Sequence, residues 1–162
     1  MDAVSKMNQV QKALDDYERG LGLLHTNPID EAEINGYFTM ARNDIESLSA
    51  FDCVAIAVRL NQMAFYIQKN HNNEASRFSW AEAEINKYSA NKLDSVGGQY
   101  AKHETKIYLL AEQDEYLSKL VAIKNYAKQR LDRLSYLASS IKSLSDSFSS
   151  VSKTKLALRE KN

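Results

Sequence analysis

At 162 residues and 18.4 kDa the chain has the length of one ordinary domain, enough to bury a core. Twenty-one basic and twenty-one acidic side chains give a formal net charge of zero, so the whole-chain basic footprint of a nucleic-acid binder is absent. The single cysteine, Cys53, excludes an internal disulfide and suits a reducing compartment, and five glycines and one proline leave few breaks for a β-rich fold. No unbroken run of about 20 apolar residues argues for a membrane span. The opening MDAVSKMNQV has no apolar core of a secretory signal, so a cytoplasmic protein is expected.

The first predicted helix runs from about Asp2 to Leu23. Val4, Met7, Val10, Leu14, Tyr17 and Leu21 recur at spacings of three and four and fall on one stripe. Gly20 and Gly22 weaken its end, and Leu24–Pro28 is a break. Asn27 before Pro28 is a start signal for a second helix, with Asp30, Glu31 and Glu33 at its positive end. That helix would carry Ile34, Tyr37, Phe38, Ala41, Ile45 and Leu48. Ser49, with Asp52 three residues on, predicts a capping box for a third helix. Phe51, Val54, Ala55, Val58, Met63, Phe65, Tyr66 and Ile67 make this helix apolar on more than one side, as for a helix packed between others.

The run Lys69-Asn70-His71-Asn72-Asn73 disfavours helix and predicts a tight turn, with a continuous helix as the alternative. A fourth helix follows over about 74–93, with Phe78, Trp80, Ala81, Ile85 and Tyr88 as buried candidates. Asp94-Ser95-Val96-Gly97-Gly98-Gln99 is the clearest loop, and a short helix is expected around 104–111. From about Glu112 to Leu156 the pattern is helical throughout, with Ser145 and Lys124 as imperfections in its apolar seam. A helix of roughly 45 residues would be about 68 Å long, too long to bury in one small monomer. The expected fold is therefore all-α: a helical bundle with a long C-terminal amphipathic helix, oligomeric, divided as 1–49 and 50–162.

The zero net charge is a cancellation. Residues 1–35 hold three basic and seven acidic side chains, whereas residues 124–162 hold nine and three. Such asymmetry marks an anion-binding end, a contact between copies, or a solvated basic face.

Catalytic constellations are missing from the sequence. There is no phosphate-cradling glycine loop, no cysteine pair and no histidine spacing for zinc. His25, His71 and His103 read as exposed polar residues, Cys53 as a small core residue, and Glu112, Asp114 and Glu115 as complements to a helix dipole. No enzyme and no cofactor are expected. A looser pattern does occur, cations with aromatic rings between them, as single-strand binding requires. Its cations are Lys87, Lys92, Lys102, Lys106, Lys128, Arg130 and Arg133, and its rings include Phe78, Trp80, Tyr88, Tyr100, Tyr108, Tyr126 and Tyr136. Core packing is the competing explanation for the rings. Serines along 139–152 meet phosphates, let helices approach closely or simply face water.

The order of Ile67-Gln68-Lys69-Asn70-His71, Asn91-Lys92-Leu93-Asp94 before Gly97-Gly98, Glu104-Thr105-Lys106 and Ala111-Glu112-Gln113-Asp114-Glu115-Tyr116-Leu117 resembles phage recombination mediators of the UvsY type, over roughly residues 60–150. The resemblance implies a helical homo-oligomer, often ring-like, that binds single-stranded DNA. It implies that the chain helps load a RecA-like recombinase onto DNA covered by a single-strand binding protein, in a bacterial host cytoplasm if phage-encoded. The family's basic patch, Lys-Ala-Arg-Leu-Asp, stands here as Ala90-Asn91-Lys92-Leu93-Asp94, which keeps only the second cation, with Lys87 nearby. Residues 1–49 lie outside the resemblance and read as an added interaction segment. The alternative expectation is a non-enzymatic structural or adaptor protein, such as one of phage assembly.

Overall fold

The computed structural model describes residues 2–22, 30–98 and 100–159, and among the described residues every regular element is a helix. In chain order these are α1 (Ala3–Gly20), α2 (Glu31–Phe38), α3 (Arg42–Ser47), α4 (Ala50–Ser89), a 3₁₀ turn (Leu93–Ser95), α5 (His103–Gln113), α6 (Glu115–Leu134) and α7 (Leu137–Arg159). The chain forms two compact units, interleaved in sequence. One joins Met1–Leu24 to His71–Arg133, the other His25–Asn70 to Leu134–Asn162. This division differs from the expected 1–49 and 50–162, and α4 contributes its first half to one unit and its second half to the other. The expected break at 24–28, the Asn27–Pro28 start signal and His25 lie outside the described residues.

Helix starts follow local chemistry. The Ser49 backbone N–H and hydroxyl donate to Asp52 Oδ2 at 3.0 and 2.6 Å, and the Asp52 N–H donates to Ser49 Oγ at 3.1 Å, which is the predicted capping box. Asp30 caps α2, accepting from the Ala32 N–H at 2.9 Å.

The structure departs from the predicted helices in three places. Residues 69–73 do not turn, because α4 runs through them for 40 residues. Tertiary contacts outweigh the weak propensity of the asparagines. Asn73 accepts from Gln11 Nε2 at 3.4 Å, and Glu74, buried one position on, is held by Arg77 at 2.8 Å and Arg130 at 3.1 Å. The expected helix over 28–48 breaks after Phe38, where the Thr39 hydroxyl donates to the Asn35 carbonyl at 2.9 Å and Ala41 is extended. Beyond the break, Met40 and Leu48 both pack against the core. The 45-residue C-terminal helix is cut twice, at extended Asp114 and at Tyr136, whose φ of 66° no helix accommodates. The final helix α7 is still long, at 23 residues, but the overlong-helix argument for self-association no longer applies.

In the unit of 25–70 and 134–162, Ile34 of α2, one side of α4 (Cys53, Ile56, Leu60, Ile67) and one side of α7 (Ile141, Phe148) form the core. Small residues bring α7 close to α4. Buried Ser145 and Ser152 donate to the carbonyls of Ala57 and Ala50, both at 2.8 Å. In the other unit, Ala3 of α1, Ile85 of α4, Leu110 of α5, and Leu117 and Leu120 of α6 form a second core. The apolar stripe of α1 is largely exposed at Val4, Val10, Leu14 and Tyr17, as is Leu21 just beyond the helix, because the face that packs is the one carrying Ala3.

One segment of α4 has a mean hydropathy of 1.2 over 18 residues, so by length and composition this helix could cross a membrane even without an unbroken apolar run. Its first half instead carries Arg59, paired through two nitrogens with Glu33 of α2 at 3.0 and 2.7 Å, and one apolar side packed in a core.

Candidate nucleic-acid interface

The predicted basic patch follows the C-terminus of α4, and the glycine loop shapes it. Gly97 has φ +70°, and a Cβ there would lie 3.0 Å from Ala101 Cβ, so both the turn and the close approach require glycine. The chain then enters α5 and returns through Asp114 to α6. Asp114 Oδ1 accepts from the Leu117 N–H at 3.1 Å, making it the cap of α6, in keeping with the dipole role expected of it. Its other oxygen accepts from the Tyr88 phenol at 2.7 Å and from Lys92 Nζ at 3.0 Å.

Around this carboxylate stands a lysine–tyrosine cluster. Lys92 Nζ lies 3.9 Å from the Tyr88 ring centroid, Tyr88 and Tyr116 are tilted rings 4.9 Å apart, and Lys6 of α1 donates to the Tyr116 phenol at 3.0 Å. The Tyr88 hydrogen bond, the α6 N–H and Lys92 together outweigh burial and hold Asp114 down to about 2. Hydrogen bonding to Tyr88 and then Asp114 pushes Lys92 up, and bonding to Tyr116 does the same for Lys6. Both amines are therefore firmly charged. Lys87 and Glu84 border the shallow hollow formed with Lys6, Tyr88 and Tyr116. Three lysines thus surround the ring pair against two carboxylates.

All seven predicted cations belong to one compact unit, and they divide by partner. Lys92 is tied to Asp114, Lys128 to Asp132 at 3.1 Å and Arg130 to buried Glu74. Lys87, Lys102, Lys106 and Arg133 have no carboxylate partner among the described residues. Lys102, the extended residue that precedes α5, and Lys106, one turn into it, both lie at the start of that helix. Tyr108 lies on a different face with Glu104, lining a cleft with His103, Asn86 and Lys124. The rings divide as well. Tyr100, Tyr108, Tyr126 and Tyr136 are exposed, whereas Phe78, Trp80 and Tyr88 are partly buried.

Lys6 and Tyr116 are absent from the sequence-based set. The stripe drawn on α1 began at Val4, whereas the packed face begins at Ala3, which places Lys6 one turn on beside Tyr116. On α7, the hydroxyls of Ser139, Ser143, Ser147 and Ser150 donate to carbonyls of their own turns, so their protons are not offered to a phosphate. His71 lies within α4 rather than in a turn, and His103 opens α5. Among the described residues no group of three or more His, Cys, Asp or Glu side chains could hold a metal ion. Cys53 is fully buried in a core.

In comparisons with known proteins, no family model, curated protein or solved structure matches the chain.

Proposed function

We propose that the chain is a single-stranded-DNA-binding recombination mediator that helps load a RecA-like recombinase onto DNA covered by a single-strand binding protein, acting as a homo-oligomer in the cytoplasm. In this reading it binds a strand and changes no covalent bond. The observation that carries the binding step is the set of unpaired cations in one unit: Lys87 beside the Lys6–Tyr116–Tyr88–Lys92 cluster, with Lys102 and Lys106 following the glycine loop. Cations contact phosphates, and the exposed Tyr100 ring beside Lys102 offers a base a stacking face. The mediator role itself rests on the motif order that resembles the UvsY-type family.

A labelled oligonucleotide tests the reading. Binding is expected at about 50 mM salt and should weaken steeply as salt rises, through counterion release. No binding to single-stranded DNA at that salt overturns it.

The exposed apolar stripes favour the second reading, a structural or adaptor protein. Val10, Leu14 and Tyr17 of α1, with Leu21 just after it, are exposed at heptad spacing. A stable complex with another protein, together with no affinity for DNA, would select that reading.

A further inference from the structure

The first half of α4 carries two apolar stripes. Cys53, Ile56, Leu60, Met63 and Ile67 form one, buried against α2 and α7. Phe51, Val54, Val58, Asn61 and Phe65 form the other, at the same alternating spacing of three and four. The second stripe is displaced from the first by two residues, about 200° around the helix, and so lies on the opposite side. Among the described residues nothing covers it: Phe51 is 79 % exposed, Val54 46 %, Val58 49 % and Phe65 50 %. The sequence pattern of a helix packed between others is met on one side only.

We propose that α4 of a second copy covers this stripe, with the two copies of Asn61 meeting across a two-fold axis. The proposal names the surface for the self-association in the reading above and is independent of its DNA-binding step.

Three features select a second copy. The stripe has the heptad spacing of a coiled-coil seam, and its single polar member fits a copy of itself. A seam asparagine facing an apolar residue loses hydrogen bonds, whereas two amides facing each other satisfy them and fix the register. The flanking residues Ala55, Ala57, Gln62 and Ala64 are small or uncharged, so two identical faces approach without like-charge repulsion. Those flanks also argue against the other occupants. The nearest cations are Arg59, which is paired with Glu33, and Lys69, one turn beyond Phe65, so an anionic strand meets no row of free cations along the stripe, whereas an interfacial membrane helix carries lysine or arginine along its margins.

The area sets the strength. The two phenylalanines present roughly 250 Å² of ring surface, and with the valines the stripe supplies about half of the ~800 Å² per partner of a standard interface. A patch of that size belongs to weak, reversible pairing.

Sedimentation of the wild-type chain over about 1–100 µM should show a mass that rises with concentration. Val58→Gln with Phe65→Gln removes apolar surface without changing charge or lowering helix propensity, and should weaken association at least about tenfold with no loss of helical circular dichroism. A second variant gives a readout independent of that pair. Asn61→Cys should form a reducible dimer under mild oxidation, while the control Ser147→Cys, at an exposed position of α7, stays monomeric, since native Cys53 is buried. A wild type that is strictly monomeric at 100 µM overturns this pairing and the self-association above. Association that persists unchanged in the double variant overturns the α4 surface alone. Binding of the wild type to neutral phospholipid vesicles, lost in the double variant, assigns the stripe to a membrane and overturns the pairing.

Discussion

Lys87 and Lys92 lie five positions apart, and the structure gives them different partners. Lys92 holds Asp114 at 3.0 Å and lies over the Tyr88 ring, so it is part of the α6 start. Lys87 has no carboxylate partner among the described residues and is exposed. Lys87→Ala should reduce single-stranded DNA affinity several-fold with the melting temperature unchanged, whereas Lys92→Ala should lower that temperature by a few degrees. Fluorescence anisotropy and thermal melts measure the two effects, and equal melting shifts would contradict the assignment. Asp114→Ala, which also loses the α6 cap, should cost about 1–2 kcal/mol. The same carboxylate predicts acid sensitivity. Asp114 and Glu33 are each held down to about 2, Asp114 first by Tyr88 and Glu33 first by Arg59. The stability conferred by a lowered carboxylate is present above its ordinary pKa and is lost as pH falls through its folded value. Helical signal should therefore fall between about pH 4.5 and 2, and less so in Asp114→Asn, measured relative to its own neutral-pH stability.

Individual elements show where the sequence was readable. The Ser49–Asp52 cap, the Gly97 turn and the buried Cys53 follow from chemistry within a few residues, and each stands where local rules put it. Tyr136 is different. Nothing local favours φ +66° at a tyrosine, and beyond the break α7 packs through Ser145 and Ser152, whose partners are 88 and 102 residues away. A seam serine read as an imperfection is in fact the close-approach residue. The candidate site was half legible for the same reason. The cations could be named, but which of them are neutralised depends on Asp114, Asp132 and Glu74 reaching them in space. Tyr136→Gly should stabilise the chain by about 1 kcal/mol, since glycine adopts positive φ without strain. Ser145→Leu, which would complete the seam on paper, should destabilise it by about 1–3 kcal/mol through overpacking against α4. Denaturant melts distinguish the two. A stabilised Ser145→Leu would mean that α7 does not approach α4 closely.

At the scale of the whole molecule, the charge asymmetry of the sequence cancels inside each folded unit. The unit of 1–24 and 71–133 holds thirteen basic and thirteen acidic side chains, and the other holds eight of each. Folding places the basic 134–162 with the acidic 25–70, where Lys155 Nζ donates to the Glu46 carbonyl at 2.7 Å. Neither unit is a polyanion magnet, and affinity for a strand has to come from the few cations that folding leaves unpaired. Lys87, Lys102, Lys106 and Arg133 are four such groups. With a single-strand slope of about −0.7 per neutralised phosphate, one copy should lose affinity with a log–log salt slope of about −3. The α4 double variant, Val58→Gln with Phe65→Gln, isolates this single-copy value because it alters no charge. The paired wild type presents two such sets to one strand, so its slope should approach twice that of the variant and its affinity should exceed the variant's by more than twofold. Equal slopes for the two proteins would mean that each strand meets one copy only, and that pairing through α4 adds nothing to DNA binding.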